Sequence, residues 1–347
     1  MKKKFLSMVM AVAMMSCFAC GCGANEDQSV ATQEASVEAS SEVVEAATTQ
    51  ESTSDVVTDR SGNEITLPTE VNSIISMAPS TTQVLIDLGL ADKIVACDTY
   101  SYASYADSLN ADIPQFDMMT PDQEQIVALN ADIVFTTGMS ASHGEDVFAS
   151  VKEAGVCVFD IPSSASLADI QDDILAIGNA VGKATEAQAI VDDMVADIEA
   201  IKTIAATIPE DEKKTVLFEL FTPSGDSPVI YTCGANTYID EMITLVGATN
   251  VAGQEADQWP ALTEEAAVAM DPQVILTADM YTDDVINVLL TMKGWENVAA
   301  VKDQAIYQID GDTVNRPNHH VVDAMIEMAQ DIYPEYYADF DAEQPAA

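Results

Sequence analysis

The hydrophobic pattern of this chain switches repeatedly between short apolar runs and longer segments of helical period. Residues 73–77, 93–97, 132–138 and 156–161 are runs of β-branched and apolar side chains, as strands buried on both faces require. Between them, 81–90, 122–130 and 145–155 repeat apolar residues at helical spacing, with Gly89 and Gly155 as stops. A second series opens with the strand 215–220 and runs through 238–248, 264–270, 273–278, 284–292 and 305–310 to a last helix over 319–333. Strands alternating with helices through short connections predict one parallel sheet per series. A hairpin over 57–68, turning at Ser61-Gly62-Asn63, precedes the first.

Between the two series lies the most helical stretch of the chain. Residues 167–181 form one helical pattern that stops around Gly178 and Gly182. Thr185-Glu186-Ala187-Gln188 then has the shape of a capping box, and Ile190, Met194, Ile198, Ile201, Ala205 and Ile208 continue at helical spacing to Pro209. A helix of about 24 residues is roughly 36 Å long, enough to run along two lobes and limit their relative motion. The expected organisation is an N-terminal α/β lobe over 57–165, linking helices over 166–209, a C-terminal α/β lobe over 210–337 and a tail over 338–347.

One phrase is written twice. "EQIVALNADIVFTTG", from Glu124 to Gly138, aligns without a gap on a segment 141 positions later, with Glu265 under Glu124 and Val274-Ile275-Leu276 under Ile133-Val134-Phe135. Each copy reads as a short helix with an early glutamate, a tight turn and a buried strand, which predicts two similar half-molecules.

Composition adds location. The chain has 347 residues, is 48% apolar and carries a formal charge of -45. That excess of acid repels phosphate and anionic lipid, so nucleic acid and direct membrane contact are not expected. Lys2-Lys3-Lys4 followed by a short apolar run has the form of a secretory leader over 1–21, and the run is too short to span a bilayer. It ends in "CFACGCGAN", where Ala19 and Gly21 before Cys22 resemble a lipobox; Cys20, after Ala19, is an alternative lipidation site. Once the leader is removed, 58 acidic residues face 10 basic ones, a charge of -48. From Cys22 to Val56 the chain, past Ala24, has no aromatic, Gly, Pro, Lys or Arg and reads as a disordered acidic tether with a reach of roughly 30 Å. The expected location is outside the cytoplasm, lipid-anchored to the outer face of the cell membrane of a monoderm bacterium.

Candidate chemistry is sparse. Cys97, Cys157 and Cys233 form neither a disulfide framework nor a metal ribbon and read as small apolar residues near strands. "GNAVGKAT" has too short a spacing for a phosphate loop and places Ala184 where Ser or Thr would hold magnesium. With no nucleophile elbow and no His-Glu-x-x-His pattern, an enzyme is not expected. Three histidines, His143, His319 and His320, are few for a free-metal carrier, so neither a metal centre nor a resident cofactor is expected.

The motifs "SIISMAPSTTQVLIDLGLADKIVACDTYS", "TPDQEQIVALNADIVFTTG", "LTEEAAVAMDPQVILTAD" and "GWENVAAVKDQAIYQIDGDTVNRPNHHVVDAM", in this order, resemble the substrate-binding proteins of ABC importers for ferric siderophores, haem and vitamin B12. The resemblance implies a class III periplasmic-binding-protein fold, two Rossmann-like lobes with parallel central sheets joined by a single long α-helix. It implies a monomer that carries a metal chelate to a homodimeric permease with its ATPase subunits. Glu124 and Glu265 match the pair of glutamates that dock into the two permease subunits, although Glu264 stands beside the second.

The cleft is expected at the carboxyl ends of the strands. Pro79, Ser80, Tyr100, Met139, Phe221, Tyr231 and Met280 fall in that region, and Phe116, Met118, Met119 and Trp259 match the apolar side chains that family members place before each docking glutamate. Arg316, one of only two arginines, sits in the matching Arg-Pro segment, while His319-His320 replace a common Pro-Arg continuation. Burying a polyanion needs several cations, so a hydroxamate-type ferric siderophore or a corrinoid is expected, with Trp259 stacking and Arg316 giving one polar contact. Haem held by Met118 or Met119 opposite His319 or His320, or a free zinc or manganese ion, are alternatives.

Overall fold

The structure, a computed structural model, describes residues 56–141, 144, 146–224, 228–338 and 340. The leader, Cys20, Cys22, the tether up to residue 55, His143 and most of the tail lie outside the described residues. The described elements belong to one compact unit, Glu51–Ala347.

Strands β1 (Val56–Thr58) and β2 (Glu64–Thr66) form the expected antiparallel hairpin, which turns through Gly62 at a φ of 88°. Asp59 accepts the Ser61 and Asn63 backbone N–H groups and holds the turn. Arg60 Nε, 2.5 Å from Asp173 Oδ1, fastens the hairpin to the helix Leu167–Ala180. The N-terminal lobe then builds one parallel sheet from β3 (Ile74–Ser76), β4 (Ile94–Asp98), β5 (Gln115–Phe116), β6 (Ile133–Thr137) and β7 (Cys157–Ile161), in the order β5-β4-β3-β6-β7. The C-terminal lobe contains β8 (Thr215–Glu219), β9 (Val229–Tyr231), β10 (Thr249–Asn250), β11 (Ala261–Thr263), β12 (Val274–Thr277) and β13 (Ile306–Gln308). Four of these form a parallel sheet, β10-β8-β12-β13. β9 and β11 pair instead as an antiparallel ribbon that three-residue strands did not announce in the sequence.

The repeated phrase is a repeated structure. Asp122 caps the helix Gln123–Leu129 by accepting from Gln125 N–H, and Thr263, 141 positions on, caps Glu264–Met270 by accepting from Ala266 N–H. Both helices end on a left-handed residue, Asn130 at φ 48° and Asp271 at φ 45°. Both then anchor the next strand through a backbone N–H to a hydroxyl, Asp132 to Ser73 at 3.0 Å and Gln273 to Thr215 at 3.1 Å.

Strand alternation shows why both copies need unbroken apolar runs. Ile133 and Phe135, like Val274 and Leu276, point into one large core, while Val134 and Ile275 point into separate outer cores of their own lobes. The large core is continuous from Ile74 and Phe159 through Ile174 and Ile177 of the first linking helix to Phe218 and Met325 beyond it. The second linking helix, Ala184–Ala205, buries Ala187, Val191, Met194, Ile198 and Ile201 at steps of four and three residues. Four large side chains at about 1.5–3 kcal/mol each oppose separation of this helix from the lobes.

The capping box lies elsewhere than expected. Ser166 and Asp169 form it at the start of the first linking helix, whereas the second begins at Ala184, behind Lys183, with no side-chain cap. The tight turn at Gly182 starts the helix early and leaves Thr185 inside its first turn. The two helices approach so closely that a Cβ on Gly178 would stand 2.2 Å from Ala187 Cβ. Cys97 and Cys233 are buried, Cys157 is half-buried, and all three are free thiols. Among the described residues no helix is long and apolar enough to cross a membrane.

Candidate functional site

Both parallel sheets present their carboxyl ends to loops that carry exposed apolar side chains. In the N-terminal lobe, β3 passes into the helix Pro79–Asp87, whose first turn holds half-buried Pro79 and Ser80. β4 ends at Asp98, which accepts the N–H groups of Tyr100 and Ser101 and caps the helix Thr99–Tyr105. Burial raises the Asp98 carboxyl above its usual range even though these donors oppose the shift. Ser101, Thr82 and Ser76 continue the network below it by hydroxyl contacts of 2.8 Å. This buried floor fixes the turn from which Tyr100 projects into solvent, and Met139, after β6, is exposed at the same edge.

The C-terminal lobe supplies a larger apolar wall. Phe221 bridges to Tyr231 and stacks on Tyr281 with ring centroids 6.2 Å apart and planes 21° apart. Thr232, next to Tyr231, donates its N–H to Pro260, which brings Trp259 to the same ribbon. Phe221, Tyr231, Trp259, Met280 and Tyr281 are all exposed, Tyr281 most of all at 73%. Asp279 holds the two loops together by accepting the N–H groups of Thr222, Tyr281 and Thr282. Burial alone would raise this carboxyl, but those donors hold it down at about 2. Below it, Glu219 is 1% exposed, and neither carboxylate oxygen has a hydrogen-bond partner among the described residues. Burial, with the Asp279 charge adding to it, pushes the Glu219 carboxyl up to about 7 against an opposing contribution from Thr277.

Arg316 is where the lobes meet. Its guanidinium donates to Tyr105 Oη at 3.0 Å and to Ser104 Oγ at 2.7 Å, both in the N-terminal lobe, and it pairs with Asp312 one helical turn back. It also lies 5.4 Å from the centroid of the Tyr105 ring. The arginine expected to meet a ligand is therefore spent on a contact between the lobes.

Several other expected wall residues are also placed differently. Phe116 is 4% exposed and Met118 9%, both in the outer core with Ile75, Met77, Ile126 and Val134, while Met119 is half-buried. The short strand β5 turns Phe116 inward, a strand too brief to be read from the sequence. His319 and His320 engage Asp87, at the end of Pro79–Asp87 farther from β3. Met118 lies in the outer core and both histidines pair with Asp87, so the haem axial pairs that use Met118 are not assembled. Asp323 first, and Asp87 next, push the His320 imidazole up to about 9. Burial would raise Asp87, but the two imidazoles and Gln83 keep its carboxyl well below the usual range.

Glu124 and Glu265 lie at matching, exposed positions in the first turns of their helices, and Glu264 is half-buried. Local signals could have pointed to Asp312, four residues before Arg316, and to Asp323, three after His320. Tyr105, Tyr281 and Asp87 had no such signal. A groove of about 630 Å³ lies at the opposite, amino ends of β6 and β7, lined by Leu67, Pro68, Asn130 and Val156, and takes no part in this site.

Two parallel α/β lobes on a shared helical core, with an aromatic and methionine-rich surface at the carboxyl ends of their strands, define a two-lobed binding protein of class III type. The chain belongs to the periplasmic binding protein family, whose model matches residues 74–313. It is 29% identical over 283 residues to the ABC transporter substrate-binding lipoprotein YvrC of Bacillus subtilis, covering 82% of this chain and 87% of that one. A cobalamin-binding protein of Halobacterium salinarum is 24% identical over 278 residues, covering 78% and 72%. Among solved structures, the periplasmic haem-binding protein RhuT of Roseiflexus shares the fold with a TM-score of 0.66 at 22% identity, over 76% of this chain and 98% of that one.

Proposed function

We propose that this substrate-binding component of an ABC importer captures a corrinoid of the cobalamin type and hands it to a homodimeric permease and its ATPase subunits. The observation that carries this reading is the aromatic and methionine-rich surface at the carboxyl ends of the strands. Tyr100, Met139, Phe221, Tyr231, Trp259, Met280 and Tyr281 are exposed there, while Arg316 is held by Asp312, Ser104 and Tyr105. Flat apolar walls suit a macrocycle, whereas a catecholate or citrate chelate of iron needs several unpaired cations to offset its desolvation. The similarity to a cobalamin-binding protein points the same way.

Glu124 and Glu265 are the docking carboxylates in this reading, since a twofold permease requires two like anchors and guanidinium–carboxylate pairs are directional. The resemblance of the leader to a lipobox and the similarity to a lipoprotein support anchoring outside the cytoplasm through a lipid on Cys22 or Cys20. A monoderm host fits that arrangement.

Trp259 is exposed and Trp295 is buried, so fluorescence quenching reports the cleft. Cyanocobalamin, a ferric hydroxamate, a ferric catecholate, ferric citrate and haemin are titrated at low and high salt. The corrinoid is expected to bind tightest, with little dependence on salt, and Trp259→Ala to weaken it tenfold or more, about 1.4 kcal/mol. Tightest binding by the hydroxamate would replace the ligand but keep the cation-poor cleft. A catecholate that binds best and weakens steeply with salt would overturn the proposal.

A further inference from the structure

Away from the cleft, three metal-ligating side chains converge between the lobes. Asp87 ends the helix Pro79–Asp87, about 12 Å along its axis from Pro79. His319 Nε2 lies 3.0 Å and His320 Nε2 3.2 Å from the same oxygen, Asp87 Oδ2. All three ligand atoms fall within 4.8 Å of one another. A tetrahedral zinc site with nitrogen and oxygen ligands at about 2.0–2.2 Å has ligand-to-ligand edges of about 3.3–3.6 Å. The two imidazole–carboxylate separations need to open by only a few tenths of an ångström.

The surroundings have the form that a metal site requires. His320 Nδ1 is 2.8 Å from Asp323 Oδ2, a contact that leaves Nε2 as the ligating nitrogen and fixes the ring plane. Gln83 Nε2 donates to Asp87 Oδ2 at 2.7 Å and orients the carboxylate. The two imidazole rings lie 4.3 Å apart, centroid to centroid. As an ion pair alone this arrangement is uneconomical, because one carboxylate oxygen serves two imidazoles and an amide. Among the described residues His319 Nδ1 is also buried without a partner. A cation between the three ligand atoms would replace these competing contacts with three of one kind.

We propose that Asp87, His319 and His320 bind a first-row divalent cation, zinc in the first instance, as a staple between the two lobes. Two imidazoles and one carboxylate leave a fourth position for water or the Gln83 side chain, a donor set suited to zinc. The ion here is structural and distinct from any cargo. Its ligands come from both lobes, so it acts alongside Arg316, which links the same lobes through Tyr105 and Ser104.

The full chain, stripped with a chelator and dialysed, is titrated with Zn²⁺ by calorimetry and separately with Co²⁺, whose visible spectrum distinguishes tetrahedral from octahedral coordination. The expected result is one tight equivalent of zinc and a tetrahedral cobalt spectrum. His319→Gln and His320→Gln, each checked for an unchanged far-ultraviolet spectrum, are expected to weaken zinc by about 100-fold or more, and Asp323→Asn by about tenfold through its neighbour. Zinc bound equally well by both histidine variants, which would assign it to thiols or to the acidic surface, would overturn the proposal. So would a wild-type chain that binds no zinc, or one whose cobalt spectrum is octahedral.

Discussion

Glu219 offers a quantitative test of how the floor beneath the aromatic wall is built. Its carboxyl is nearly inaccessible, lacks a hydrogen-bond partner among the described residues and has its pKa pushed from 4.5 up to about 7. The folded chain therefore holds this proton more tightly than the unfolded chain. Stability from this group is fully present below pH 4.5 and is lost as the pH rises through 7. At pH 8 the penalty approaches about 3 kcal/mol, and at pH 5 it is under about 1 kcal/mol, from 1.36 kcal/mol per pKa unit. Glu219→Gln keeps the shape and removes the ionisation. Urea unfolding from pH 5 to 8.5 should find the variant about 2 to 3 kcal/mol more stable than wild type at pH 8 and close to it at pH 5. At roughly 2 °C per kcal/mol for a chain of this size, the melting temperature at pH 8 would rise by about 4–6 °C. Parallel stability curves for the two proteins across this range would refute the reasoning and mean that water reaches the carboxylate.

Gly178→Ala is expected to lower the urea midpoint with an unchanged m-value, because a Cβ 2.2 Å from Ala187 Cβ forces the linking helices apart. Overpacking costs about 1–3 kcal/mol against up to about 1 kcal/mol of helix propensity gained, and a midpoint at or above wild type would refute the close approach. Glu124→Arg or Glu265→Arg is expected to abolish uptake through the intact importer while leaving ligand affinity within about 0.5 kcal/mol. Loss of ligand binding in either variant would make that glutamate a cleft residue instead.

Sequence pattern alone predicted the two parallel sheets and the linking helices, though not the short strands β5, β9 and β11. Ile133-Val134-Phe135 and Val274-Ile275-Leu276 are unbroken because each strand faces the shared core on one side and an outer core on the other, and such burial leaves a local signature. The repeat carried its caps with it, since Asp122 and Thr263, like Asn130 and Asp271, act on their own helices. The capping box was misplaced because Thr185 has the right spacing but lies two positions past the N-cap Lys183 of a helix whose start is set by Gly182. In the site, the exposure of Tyr100, Met139 and Phe221 was legible because loops at strand ends have few other places to put such side chains, while Trp259 was placed by resemblance.

Direction and partnership were decided only by the tertiary structure. Phe116 and Met118 look no different in sequence from ligand-lining residues, yet the short strand β5 turns Phe116 into the core. Arg316 looked like a free cation until the fold brought Tyr105 and Ser104 to it across 211 and 212 positions. His319 and His320 acquired a common partner in Asp87, 233 positions from His320. The physical reason is range. Helical and strand periods arise from neighbours a few residues apart and are written in every segment, whereas a side chain's charge partner depends on how the two lobes close on each other.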